Sequence, residues 1–258
     1  MLNTEVSNRK TIVFALLIFS LLLKTNSAFA QSGNWVVGLS GGDTFPRMQK
    51  SNTTVPNGSG VTPPYNLDTY TVDNPSTTAT AGVFGGYQWQ GLKSFLPYSS
   101  VLLRYEHQFN STITGKVQEF GLPLFTNYNY SMKLQSDVVN VVGKLDFTPY
   151  KSFLPYVSVG LGIAFNRVSN YNEDAIPPVS PARVSPNYNS KTNVNFAYSL
   201  GAGIDYIYSK KLWLTLGYQF ADLGKVNSGP GMQTWSNTRL SFGAQRDHTI
   251  LGSITYQL

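Results

Sequence analysis

Apolar and small or polar residues alternate along most of this chain with the period of a strand. Segment 212–221, LWLTLGYQFA, places Leu212, Leu214, Leu216, Tyr218 and Phe220 on one face, and Trp213, Thr215, Gly217, Gln219 and Ala221 on the other. In 249–258, TILGSITYQL, Ile250, Gly252, Ile254, Tyr256 and Leu258 oppose Thr249, Leu251, Ser253, Thr255 and Gln257. Residues 195–208 follow the same rule, as do 35–42, 81–89, 101–109, 139–147 and 157–165. Period 2 is the strand period, because successive side chains leave a pleated strand on opposite faces. The pattern predicts eight strands of about 8 to 13 residues, and crossing a bilayer at a tilt takes about 9–11.

The small face decides between architectures that both alternate. A soluble secreted β-sandwich, the competing reading, turns large apolar side chains into a crowded core. Here the second face is Gly, Ser, Ala, Thr and Gln with occasional charges, which suits a narrow lumen, while the smooth apolar face tipped by aromatics suits lipid. Connections alternate in length: 43–79, 110–133, 167–193 and 222–247 are long, whereas GLKSFLP, TPYKSFLP and SKK are short. The expected fold is therefore all-β, an eight-stranded antiparallel up-and-down transmembrane β-barrel with long extracellular loops and short periplasmic turns.

The N-terminus changes the picture of what is exported. Arg9 and Lys10 precede the apolar run TIVFALLIFSLLL (11–23), and Ala28 and Ala30 fit a small-x-small cleavage site. At 13 residues the run is short for a spanning helix, which needs about 20. Residues 1–30 read as a cleaved signal peptide and 31–258 as the barrel domain. The signal removes three of 19 basic and one of 13 acidic residues, leaving a net charge of +4 that is not gathered into a nucleic-acid-binding stripe. There is no Cys, which removes disulfides, thiol-based metal sites and a lipoprotein anchor. Only 12% of residues are charged and 14% are aromatic, a combination unusual for a soluble secreted domain.

The hexapeptide KSFLPY occurs at 93–98 and again at 151–156, each time in a short turn that leads into a rising strand. Both copies are expected to turn the chain at the inner interface, with Lys toward headgroups, Phe and Tyr in an aromatic girdle, and Pro starting a strand where no donor is needed. The inner girdle is predicted as Trp89, Phe95, Tyr98, Phe147, Tyr150, Phe153, Tyr156, Tyr206, Tyr208, Trp213 and Tyr256. An outer one comprises Phe109, Phe165, Phe196 and Phe220.

With WVVGLSGG (35–42), LGYQFADLG (216–224) and ILGSITYQL (250–258) as its carrying segments, the chain resembles the small eight-stranded outer-membrane barrels of the OmpA transmembrane-domain and opacity-protein kind from Gram-negative bacteria. The resemblance covers essentially 34–258. It implies outer-membrane lipid and lipopolysaccharide as surroundings, and the barrel-insertion machinery as the reader of the C-terminal strand. Two features depart from it. The chain ends in Leu258, with Tyr256 two before, rather than in an aromatic residue, and no periplasmic cell-wall-binding domain follows the eighth strand.

Arg104, Glu106, Lys144, Asp146 and Asp205 have lumen parity. An eight-stranded barrel holds little more than side chains, and buried charges must pair. A rigidifying ion-pair ladder is the expected arrangement, with a narrow gated conductance through it, porin-like, as the alternative. Enzymatic readings fail on residue types. The only histidines, His107 and His248, sit beside Glu106 and Asp247, whose side chains point to the opposite face, and no His-x-Ser follows His107. No catalytic, cofactor or metal residues are assigned. The long loops, about a hundred residues rich in Asn, Ser and Thr and stiffened by TPPY (62–65), IPPVSPARVSP (176–186) and SGPGMQTW (228–235), carry the main functional reading. That reading is a structural or surface-exposed, adhesin-like role with host-surface or matrix ligands.

Overall fold

The computed structural model describes residues 32–58, 62–63, 65–178 and 183–258. The segment expected to be a signal peptide, with Ala28 and Ala30, lies outside the described residues. Ten strands are present: β1 (Gly33–Met48), β2 (Asn52–Pro56), β3 (Leu67–Thr71), β4 (Thr78–Lys93), β5 (Leu96–Gln118), β6 (Thr126–Asp146), β7 (Phe153–Ala175), β8 (Lys191–Ile207), β9 (Leu212–Asn227) and β10 (Ser241–Gln257). Eight of them, β1 and β4–β10, close a ring of antiparallel neighbours, β1 pairing with both β4 and β10. The Leu258 N–H completes the seam by donating to the Trp35 carbonyl at 2.9 Å. β2 and β3 form a hairpin inside the first long connection, which leans on β5 through Tyr70↔Val117.

Closure fixes the tilt. From Gly41 the ladder runs one way through Gly252, Leu216 and Ile204 to Pro155. The other way it runs through Ala81, His107 and Asp137 to Phe165, ten residues further along β7. That stagger makes the strands cross the bilayer obliquely. Outward residues of the band, such as Leu39, Leu103 and Leu216, are 61–66% exposed, a cost in water that lipid removes.

The strands are longer than the sequence pattern predicted, at 23, 21 and 23 residues for β5, β6 and β7. Much of what reads as loop in 110–133 and 167–193 is strand that continues past the outer aromatic layer into water. There the patterning inverts. Val55, Tyr70, Ile113, Val117, Tyr130, Met132, Leu134, Trp235, Leu240 and Phe242 fill the interior of the extension as one apolar core. Below it the interior mixes polar and charged side chains with apolar ones such as Val36, Val138, Val142, Leu154 and Leu251.

The two KSFLPY copies fold with turns one residue apart. Lys93 pairs with Leu96 around Ser94-Phe95, but Tyr150 pairs with Phe153 around Lys151-Ser152, where Lys151 takes φ 57°. Beyond the turns the copies agree again, with Tyr98 and Tyr156 both facing inward.

Candidate functional site

Two polar layers fill the membrane-spanning lumen. In the lower one, Lys144 on β6 ion-pairs with Asp205 on β8 and lies 3.3 Å from Asp146. Asp205 also accepts from Thr215 Oγ1 at 2.7 Å. Both carboxylates have no exposed side-chain surface. The Lys144 ammonium sits 4.4 Å from the centre of the Tyr156 ring. That ring is seated over Gly203 and Gly217, where a Cβ would strike it. Tyr98 and Trp213 meet edge to face with ring centres 4.9 Å apart.

In the upper layer, Arg104 lies 3.3 Å from Glu106 and donates to Asn140 at 3.3 Å. Gln219 bonds Glu106, and Gln108 and Gln245 donate to Asp247 at 2.6 and 3.1 Å. Arg104 and Lys144 border a cavity of about 70 Å³ between the layers, room for a handful of water molecules.

The five predicted lumen charges thus fall into two clusters, Lys144–Asp146–Asp205 and Arg104–Glu106. Asp247, wholly buried, belongs to the lumen as well. Its parity with Thr249 and Leu251 was the signal for it, lost by ending the strand two residues early.

Of the girdle residues, Phe95, Tyr150, Phe153, Tyr206, Tyr208 and Tyr256 are exposed at the short-turn end, joined by Trp35. Trp89 stacks its edge on Tyr87, and Phe147 directly follows the end of β6, half-buried. Three positions need correction. Trp213 and Tyr156 are 3% and 7% exposed, and with Tyr98 they turn into the lumen, because each has the parity of the small face. Phe109, Phe165 and Phe196 are exposed on the outer layer, and Phe220 there packs against His248 with ring centres 5.5 Å apart.

Neither histidine is isolated. His107 Nδ1 lies 2.8 Å from Asp137 Oδ1, which also accepts from the Tyr105 hydroxyl at 2.6 Å. His248 Nδ1 meets the Tyr218 hydroxyl at 2.5 Å. Among the described residues neither imidazole has a serine or threonine hydroxyl as partner, and no group of three or more His, Asp or Glu is placed to hold a metal ion.

Above the membrane, Arg183 gathers the long connections around one guanidinium. It donates to Asp68 at 2.5 Å, to both Glu173 oxygens at 2.9 and 3.1 Å and to the Tyr70 hydroxyl at 3.0 Å. Glu119 lies 3.8 Å away. The rings of Tyr128 and Trp235 flank it at 4.9 and 5.5 Å. Burial by itself would lower the Arg183 pKa, but the Glu173 hydrogen bonds and the surrounding charges outweigh it and hold the group above its ordinary value. Burial likewise pushes the Tyr70, Tyr130 and Tyr171 phenols far up. Sequence reasoning missed this clamp, because its members lie in four separate segments.

A closed ring of strands, lipid-facing outside and crossed inside by buried ion-pair layers between aromatic layers, defines an integral outer-membrane barrel protein. Residues 44–246 match the family described as outer membrane protein beta-barrel domain, and the chain belongs to that family. Outer membrane protein PagN of Salmonella typhimurium is 27% identical over 222 residues, covering 83% of this chain and 84% of PagN. Among solved structures, Neisserial surface protein A aligns over 88% of this chain and all of its own, with TM-score 0.48 and 11% identity. OprG of Pseudomonas aeruginosa covers 88% and 98%, with TM-score 0.46 and 12% identity. The protein resides in the outer membrane of a Gram-negative bacterium.

Proposed function

We propose that this barrel is a non-conducting, non-enzymatic scaffold that presents its extracellular extension for binding a host-surface or matrix ligand. The supporting observation is the tip of the β5–β6 hairpin. Leu124 is 87% exposed there, with Phe125 beside it and Phe120 packed edge to face on Phe125 at 5.8 Å. An apolar tip costs free energy in water and is the kind of anchor that dominates protein contacts. The clamp and core beneath hold it rigid, which lowers the entropy lost on binding.

Outer-membrane vesicles carrying the protein should adhere to cultured cells or immobilised matrix. Leu124→Ser with Phe125→Ser should cut adhesion at least several-fold while the heat-dependent gel shift stays unchanged. Unaltered adhesion would remove the tip from the reading.

A narrow gated channel is the second reading, favoured by the cavity between the two ion-pair layers. It requires single-channel steps in planar bilayers that change with Arg104→Gln. Absence of steps in the intact protein supports the scaffold.

A further inference from the structure

On the seam of the barrel two arginines face each other. Arg47 on β1 pairs directly with Arg246 on β10, and both side chains are exposed on the outward face. Directly opposed residues of an antiparallel pair hold their Cβ atoms about 4.5–5.5 Å apart, and like charges so placed are destabilising. The compensation inside the protein is incomplete. Arg246 reaches Asp222 at 3.3 Å and stays 48% exposed, while Arg47 has no acidic partner among the described residues. Asp247, adjacent in sequence, is turned into the lumen and bonded to Gln108 and Gln245. Lys225, outward on β9 opposite Ala244, adds a third cation nearby.

The height of this pair names its counter-ion. Two ladder rows below it, Phe45 faces His248, which in turn faces Phe220. This outward aromatic row marks the bilayer's outer boundary, where rings sit at headgroup level. Two residues further along a strand is about 7 Å, less along the membrane normal because the strands tilt. The arginines therefore stand where the phosphorylated sugars of an outer-leaflet glycolipid lie, with an apolar wall beneath for its acyl chains. Guanidinium groups bind phosphate oxygens through paired hydrogen bonds.

We infer that Arg47 and Arg246 together form a lipid-facing site for the phosphate of a phosphorylated outer-leaflet glycolipid. The opposed charges, unfavourable in the isolated protein, become favourable when that phosphate bridges them. This inference goes beyond the adhesive reading and does not depend on it.

The test reads a reversal of sign. In neutral detergent Arg47→Gln removes a repulsion and keeps the Arg246–Asp222 pair, so its heat-unfolding midpoint should equal or exceed that of the unaltered protein. Adding bis-phosphorylated lipid A should raise the midpoint of the unaltered protein by several degrees and that of Arg47→Gln by less than half as much. Arg167→Gln, on the other side of the ring, should respond like the unaltered protein. An equal shift with lipid A stripped of its phosphates would show that the acyl chains alone act, and would overturn the site. An equal shift with inorganic phosphate would make it a free-anion site and overturn the glycolipid assignment. Equal responses of Arg47→Gln and the unaltered protein to intact lipid A would overturn the role of the pair.

Discussion

Replacing Arg183 with methionine should unlock the extracellular layer while leaving the membrane ring intact. The substitution keeps most of the side-chain volume and removes the charge and its donors. It strands two carboxylates, Asp68 and Glu173, whose side chains are 1% and 2% exposed. Breaking a buried pair from one side costs about 3–5 kcal/mol, because the abandoned charge keeps its desolvation penalty. The layer relieves that cost by opening, and each ~1.4 kcal/mol is tenfold in the open population. Trypsin cleavage within the extension should accelerate by about two to nearly four orders of magnitude, while the heat-dependent gel shift of the barrel persists. Neutralising the stranded partners tests the cause: Arg183→Met with Asp68→Asn and Glu173→Gln should recover most of the protection. If Arg183→Met is as resistant as the unaltered protein, or the triple variant is as labile as the single one, the clamp is not what orders this layer.

Other expectations concern the lumen and the ends. Lys144→Met leaves Asp146 and Asp205 buried without a cation and should destabilise the ring by several kcal/mol, lowering the heat-unfolding midpoint; adding Asp205→Asn should restore part of it. In variants that retain one tryptophan, brominated acyl chains should quench Trp35 but spare Trp213, which packs on Tyr98 inside the barrel; quenching of Trp213 would place it on the lipid face. N-terminal sequencing of the exported protein should begin at Gln31.

The ring was legible because lipid imposes a strict alternation, and every predicted strand falls on an observed one, with 139–147, 195–208 and 249–258 each running one residue past its end. What failed was a second rule laid over the first. Tyr98, Tyr156 and Trp213 have lumen parity, as the faces of 212–221 and the offsets within KSFLPY already required, yet their aromatic character and nearness to the turns assigned them to the girdle. Parity is fixed by the pleat, whereas girdle preference is a tendency, so parity wins. The extension was hidden in plain alternation. NYNYSMKL (127–134) puts Tyr128, Tyr130, Met132 and Leu134 on one face, but its Asn and Ser content reads as loop. Arg183 was not legible at all, since only the closed fold brings residues 68, 119 and 173 to one guanidinium.

Each strand that leaves the membrane must turn its apolar side chains from outside to inside, and the strands do this in two ways. In β6 the sequence changes phase: Leu145, Val141 and Val139 point out, then Leu134, Met132 and Tyr130 point in. In β5 the phase is kept and the backbone slips. Val101, Leu103, Tyr105 and Phe109 point out, and Ile113 and Val117, of the same parity, point in. Between them the ladder jumps from Gln108↔Ser136 to Ser111↔Leu134, one extra residue on β5. β9 and β10 carry corresponding bulges beside Gly224 and Gly243, at φ 76° and 77°. Deleting Asn110 should therefore rotate the outer half of β5 by one face. Ile113 and Val117 would enter water, at about 1.5–3 kcal/mol each, and Lys116 would enter the core. The membrane ring should keep its gel shift while trypsin opens the extension. Shifting the phase to match, with Thr112→Ile, Ile113→Thr, Lys116→Val and Val117→Lys in the deletion background, should restore protection. A deletion variant as resistant as the unaltered protein, or one that the phase shift fails to rescue, would show that the bulge is not what couples the two halves of the barrel.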